Sequence, residues 1–410
     1  MSETPSGRPS AAVRPLVVLL AVLALGVNLR AALSAYPPLL ETVRADLGIS
    51  AGLAGLVQAG AVLMMGVGSF AAPALARRID RERAAAVGVA AIALGNLARG
   101  LPATVALVAG SLAIGLGIGV TGVAITGVVR DHLPDRAGAA TGLYTVSMMG
   151  GATVASLTVL PVSGVLGGWW WALAAWALPA VLALVVWAPA TRRLHDLPQA
   201  GPVRLPWRNR FARLAVAFQA MSSVQFYAWL TWLAPFYETQ GYSTGRAAVV
   251  LSVWNVVQIP AALLVPVLAE RRRAWAPWAG LCVVCGGLGV AGVLVAPVLP
   301  VVGPWPWVVL ASVGVGAGFP LGLAVVAWRT PDGATSASVS ALTLGAAYVV
   351  AGVAPLVMGV LIDLAGFRAA WAVVAAGVVV QGVAVVRLGP RHVTYGAGAP
   401  VTTGRAAGDG

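Results

Sequence analysis

GVNLRAALSAYPPLLE, residues 26–41, places Asn28 and Arg30 inside an apolar run that begins near Pro15. An arginine at that depth is costly, about 2.5–3.5 kcal/mol at the bilayer centre on insertion scales. Such a side chain turns toward a protein interior or a watery path. Arg30 is therefore expected to face a central solute path that the other segments wall. The competing reading is structural, with the guanidinium capping carbonyls or paired with a helix-end carboxylate.

Composition says what surrounds this stretch. Of 410 residues, 59% are hydrophobic and 10% are charged, and mean hydropathy is +0.89. Soluble domains carry about 25% charged residues. The chain reads as a polytopic helical membrane protein. Its 50 glycines and 27 prolines fit that reading, because small residues let helices approach in lipid and proline is tolerated there. The apolar runs are about 20 residues long, which excludes the alternating short strands of a membrane barrel. The net charge of +13 invites a nucleic-acid partner. Its placement in alternate loops argues for membrane topology instead. Cys282 and Cys285 form a C-x-x-C within one apolar segment with no second ligand pair. They read as packing residues, so no metal and no cofactor is expected. The first segment is long enough to span and is expected to stay in the mature protein.

Twelve spans follow, at 15–38, 51–75, 84–101, 104–129, 137–163, 169–188, 211–237, 246–268, 275–297, 304–328, 335–361 and 368–388. Residues 1–14 and 389–410 are expected to be tails, and 189–210 a linker between six-helix units 15–188 and 211–388. All 26 basic residues are arginines. Loops 76–83, 130–136, 189–213, 269–273 and 329–334, with both tails and Arg387 beside the second, hold 21 of them. Arg44, Arg99, Arg246 and Arg368 fall in the opposite loops. Both termini are thus expected in the cytoplasm. Trp169, Trp170, Trp187, Trp275, Trp278, Trp305 and Trp307 lie at segment ends, as an aromatic belt would.

The two units repeat each other. Leu47-Gly48-Ile49-Ser50 matches Gln240-Gly241-Tyr242-Ser243 at an offset of 193, and Leu75-Ala76-Arg77-Arg78 matches Leu268-Ala269-Glu270-Arg271 at the same offset. Gly115, Gly117 and Gly119 match Gly314, Gly316 and Gly318; Pro134-Asp135 matches Pro331-Asp332; Leu166-Gly167-Gly168-Trp169 matches Leu364-Ala365-Gly366-Phe367. The expected fold is all-α: twelve transmembrane helices in two pseudo-symmetric six-helix bundles. Parallel six-helix halves about a central path mark a transporter.

Polar residues at mid-span are few. Besides Asn28 and Arg30, the candidate solute contacts are Gln58, Tyr144, Gln225, Tyr227, Trp229, Trp232, Asn255, Gln258 and Tyr348. Gln225, Trp229 and Trp232 share one helical face, and Asn255 and Gln258 another. Few polar groups, aromatic walls and one cation suit a small anionic or dipolar solute. Interhelical hydrogen bonding is the alternative for each amide. Arg77, Arg78, Asp80 and Arg81 in one short loop, with Glu270 and Arg271 in its counterpart, are candidate gating residues, since arginine forks can pair with carboxylates and helix ends across a moving interface. No carboxylate or histidine sits at mid-span, with His132, His195 and His392 all outside it. Facilitated transport, or a solute that carries its own proton, is therefore expected. No clustered acid–base residues suggest an enzyme.

These residues resemble the major facilitator superfamily, and within it the cyanate permease and 2-nitroimidazole transporter family. The likeness rests on Asn28-Leu29-Arg30, Tyr36-Pro37-Pro38-Leu39-Leu40, Arg44 to Ser50, Pro134-Asp135-Arg136, Thr141-Gly142-Leu143-Tyr144, Gly167-Gly168-Trp169 and Ala177-Leu178-Pro179-Ala180. The second half adds Tyr227, Trp232-Leu233-Ala234-Pro235, Ile259 to Pro266, and Gly318-Phe319-Pro320-Leu321. Arg77 stands where the superfamily's loop motif has an acid, and Asp80 where it has glycine. The resemblance implies an alternating-access secondary carrier of a small, cyanate-like solute in the bacterial inner membrane; the chain is expected to be a monomer. A drug-like or heterocyclic solute moved outward, such as a nitroimidazole, is the alternative.

Overall fold

The computed structural model describes residues 15–132, 137–191, 205–272, 274–331, 333–389 and 393–395. Most of both expected tails, the linker core 192–204, the Pro134–Asp135–Arg136 motif, His195 and His392 lie outside them. The described residues are mainly helical: α1 (Pro15–Ser34), α2 (Leu40–Leu47), α3 (Ala51–Ile79), α4 (Arg81–Ala98), α5 (Thr104–His132), α6 (Ala137–Leu166), α7 (Trp169–Ala175), α8 (Ala177–Thr191), α9 (Arg210–Thr239), α10 (Thr244–Arg271), α11 (Trp275–Val295), α12 (Trp305–Arg329) and α13 (Gly333–Leu388). This is an all-α arrangement of long apolar helices.

Four expected spans differ in detail. The first stops at Ser34, because Pro37 and Pro38 remove two donors that a continuing helix needs. The chain passes through a 3-10 turn, Pro37–Leu39, into α2. The sixth is split into α7 and α8 at Trp176. The last two run together as α13, broken only at Gly366, whose φ of 77° makes the bend that parts limb 333–365 from limb 367–388. That left-handed backbone favours glycine.

Among the described residues, nine stretches are long and apolar enough to cross a membrane. Helices α4 and α9 fall short for different reasons. Arg81, Glu82 and Arg83 open α4. Helix α9 carries Gln219, Ser222, Ser223 and Gln225, and every residue from Ser222 to Tyr237 is buried. A helix enclosed by protein has no need of a lipid-compatible surface. It is the central post of the second half.

Glycines set the spacing. A Cβ on Gly115 would stand 1.9 Å from the Ala61 carbonyl oxygen, and one on Gly119 2.2 Å from that of Met65. Helix α5 therefore touches α3 backbone to backbone, as small-residue faces permit. Gly314 does the same in the second half, 2.6 Å from the Cys282 carbonyl oxygen. The repeated Gly-x-Ser is also explained. Ser50 caps α3 by accepting from the Leu53 amide at 3.1 Å, and Ser243 caps α10 by accepting from Arg246 at 3.4 Å.

Two expectations need correction. Trp169, Trp187 and Trp275 are interior, not an interfacial belt. Their indoles donate to Asp46 Oδ2, the Glu82 carbonyl and the Leu321 carbonyl, at 2.8, 2.9 and 3.0 Å. Backbone carbonyls of α4 and α12 and a carboxylate of α2 outcompete headgroups for these donors. Arg99 is not a loop residue exposed on one face of the membrane. It is fully buried at the end of α4, donating to the Ala32 carbonyl at 2.9 Å and to Ser111 Oγ at 2.7 and 3.1 Å. It ties α4 and α5 to the end of α1, four residues or fewer from Arg30, and says nothing about topology.

Asp80 joins α3 to α4 with φ 68° and ψ 161°, a region that essentially only glycine occupies without strain. Asp80→Gly should stabilise the protein by about 1 kcal/mol. Thermal unfolding in detergent should show this as a melting temperature raised by roughly 2–4 °C.

Candidate functional site

Helix α1 presents Arg30 to α9. The guanidinium carbon lies 4.3 Å from the Phe226 ring centroid and 5.8 Å from that of Tyr227. Arg30 is only 7% exposed, and its buried Nε and Nη1 have no protein acceptor. No ion pair to Arg30 is present among the described residues, whose ion pairs include Arg44 with Glu41 and Asp363, and Arg83 with Asp80. The charge is met by aromatic faces, whose electron density attracts a cation. Phe226 is held in turn by Trp254 at 5.3 Å and Tyr227 at 5.1 Å, centroid to centroid. The Tyr227 hydroxyl reaches Met65 Sδ on α3 at 3.6 Å.

Tyr144 and Tyr348 lie within electrostatic reach of the same guanidinium. Gly26, one turn before Arg30, is what admits Tyr144, since a Cβ there would stand 3.0 Å from its ring. Arg30, Tyr144, Tyr227 and Tyr348 thus come together from α1, α6, α9 and α13.

The other sequence candidates are placed elsewhere or stay unpaired. Asn28 points away from Arg30 and donates to the Ala24 and Pro179 carbonyls at 2.9 and 3.2 Å, joining α1 to α8. The face of Gln225, Trp229 and Trp232 packs onto α13. Gln225 donates to Gln381 Oε1 at 2.7 Å, Trp229 lies 4.5 Å from Trp371, and Trp232 donates to the Pro355 carbonyl at 3.1 Å. Gln58 and Asn255 are fully buried with both ends of each amide unpartnered. Gln258 donates to the Trp254 carbonyl at 3.1 Å while its Oε1 accepts nothing. Buried amides without partners are rare in folded proteins.

Of the candidate gating residues, Arg77, Arg78, Glu270 and Arg271 are exposed. Asp80 meets Arg83 of its own half at 3.8 Å. The stem of Arg81 lies against Gly127 of α5, where a Cβ would stand 3.0 Å from its Cδ. The halves instead meet at the opposite face, where Ser156 and Ser252 share a 2.8 Å hydrogen bond and Asp363 reaches α3.

Phe226, Met65 and Trp254 were missed by sequence reasoning. Polarity was its filter, and an apolar ring beside two polar neighbours carries no such signal. Only the contact with Arg30 gives Phe226 a role.

A family profile described as Major Facilitator Superfamily matches residues 18–319. The chain belongs to the major facilitator superfamily. It is 29% identical to the cyanate transport protein of Escherichia coli (strain K12) over 357 residues, covering 85% of this chain and 91% of that one. It is 25% identical to the 2-nitroimidazole transporter of the same organism over 355 residues, covering 86% and 89%. A crystal structure of a D-xylose–proton symporter superposes with a TM-score of 0.74 at 12% identity, over 92% of this chain and 98% of that one. This chain is accordingly a multi-pass membrane transporter of a small molecule and not an enzyme.

The Tyr227 hydroxyl meets both Met65 Sδ and the Arg30 guanidinium, so Tyr227→Phe should cost about 2 kcal/mol. The melting temperature of the unliganded protein should fall by roughly 4–8 °C.

Proposed function

We propose that this superfamily member is a secondary carrier of a small, anionic or polar, cyanate-like solute, with Arg30 as its charge partner. The observation that carries the reading is the buried guanidinium with two unpartnered donors and no carboxylate. A cation removed from water without an anion is costly, and a bound anion would offset that cost. The edges of the guanidinium remain for the solute, because Phe226 covers its face. Tyr227, Tyr144 and Tyr348 line the same space, while Gln58, Asn255 and Gln258 supply unpaired amide groups deeper in the interior. Similarity to the cyanate transport protein supports this solute class.

On this reading the two halves rock about the site by alternating access, with residues 15–188 and 211–388 as the moving bundles. The carrier works as a monomer in the bacterial inner membrane with both termini in the cytoplasm, as its arginine distribution suggests. The cytoplasmic arginine loops close their own face when the opposite face opens. A second solute class, small heterocycles such as nitroimidazoles moved outward, is favoured by the Phe226–Tyr227–Trp254 wall and by similarity to the 2-nitroimidazole transporter.

A thermal-shift screen of purified protein against cyanate, other small anions and azoles tests both, since a ligand that binds the folded state raises its melting temperature. An anion-induced shift should vanish in Arg30→Ala. It should shrink in Arg30→Lys, because an ammonium lacks the planar fork. An undiminished shift in Arg30→Ala would rule out Arg30 as the charge partner. Azole shifts that survive Arg30→Ala would favour the heterocycle reading.

A further inference from the structure

Helix α3 starts with backbone N–H groups that its own turns cannot satisfy, those of Ala51, Gly52 and Leu53 among them. Ser50 Oγ accepts from Leu53 at 3.1 Å, and the Ser50 carbonyl takes the first intrahelical bond, from Ala54, at 3.0 Å. Ala51 and Gly52 are satisfied from the second half of the chain. Asp363, at the end of the first limb of α13, accepts from the Ala51 amide through Oδ1 at 3.0 Å and from the Gly52 amide through Oδ2 at 2.7 Å. The partial positive charge of the helix start favours this carboxylate. Arg44 adds a second tie, with Nη2 3.8 Å from Asp363 Oδ1 while Nη1 binds both Glu41 oxygens at 2.9 Å.

The backbones around the carboxylate are in contact. A Cβ on Gly55 would stand 2.4 Å from the Pro355 carbonyl oxygen, and one on Gly359 2.4 Å from that of Ala51. A Cβ on Gly52 would stand 3.3 Å from Val360 Cγ2 and 3.4 Å from Asp363 Oδ2. Separation of the halves at this face must therefore break the Asp363 contacts first.

We infer that Asp363 is the latch of the face opposite the chain termini: a carboxylate of the second half that holds that face shut by completing the N-terminal cap of α3 in the first half. A cap supplied from a moving partner differs in kind from one supplied by the helix's own chain. It is present only when the face is closed, so its energy biases the equilibrium between closed and open forms. The latch presupposes two halves that rock, but it is independent of Arg30 and of the solute.

Gln58 reports on opening. It is fully buried two turns inside α3 and its amide has no partner, so Gln58→Cys in a Cys282→Ala, Cys285→Ala background gives one reactive thiol with little disruption. The labelling rate of that thiol by a hydrophilic maleimide is measured in purified protein in nanodiscs, without solute. Asp363→Asn removes the charge and sets an amide N–H against a backbone N–H. It should raise the rate about tenfold, the population change that one charge-assisted hydrogen bond supports. Ala51→Pro deletes one of the two donors at a helix position that tolerates proline and should raise the rate by a smaller factor. Ser50→Ala weakens the same helix start without touching the second half and should leave the rate unchanged. A rate unaltered by both Asp363→Asn and Ala51→Pro would overturn the latch. So would an equal rise in Ser50→Ala, which would mean fraying of α3 and not parting of the halves. Because no solute is present, failure here leaves the anion reading standing.

Discussion

A guanidinium removed from water needs negative charge, oriented dipoles or π density around it. This protein meets that need for its two innermost arginines in opposite ways. Arg99 is saturated by a helix-end carbonyl and a serine, and so becomes a fixed joint between α1, α4 and α5. Arg30 is met by the Phe226 ring and keeps two donors unspent. The first arrangement rigidifies; the second leaves an interaction still to be made. The first joint also serves the second, because Arg99 anchors the end of the helix that carries Arg30.

The same division between fixed and exchangeable contacts runs through the whole molecule. Glycines bring helix backbones together at distances no side chain could share, within each half and, at Gly55 and Gly359, between them. Between halves, hydrogen bonds are few and sit mostly toward one face: Ser156 with Ser252, and Asp363 with the start of α3. Close-packed helix faces deform little. Single polar contacts can be broken and remade at modest cost. Helix α9 stands where these two regimes meet. One of its faces packs on α13 through Gln225, Trp229 and Trp232, and Phe226 beside them meets the cation of α1.

Resemblance and geometry inform different questions. Superfamily membership explains the helix count and the internal repeat. Solved structures at 12% identity speak to fold alone. What distinguishes this chain at its centre is Arg30, buried against Phe226 with two donors free.

Sequence by itself determined the run of apolar helices, the duplicated unit and the charge buried inside the first helix at Arg30. Hydrocarbon thickness and the cost of burying charge act locally, so a single chain reveals them. It also foresaw that Gln225, Trp229 and Trp232 share a face, because helical period is local. It did not reveal what that face meets, or that Asn28 turns to α8 while Arg30 turns to α9. Phe226 sits 196 positions from Arg30, and Asp363 reaches across 311 residues to Gly52. Those pairings depend on how whole helices rotate and slide against one another, which glycine contacts and helix-end polarity settle together. No local pattern carries that information; only the packed structure does.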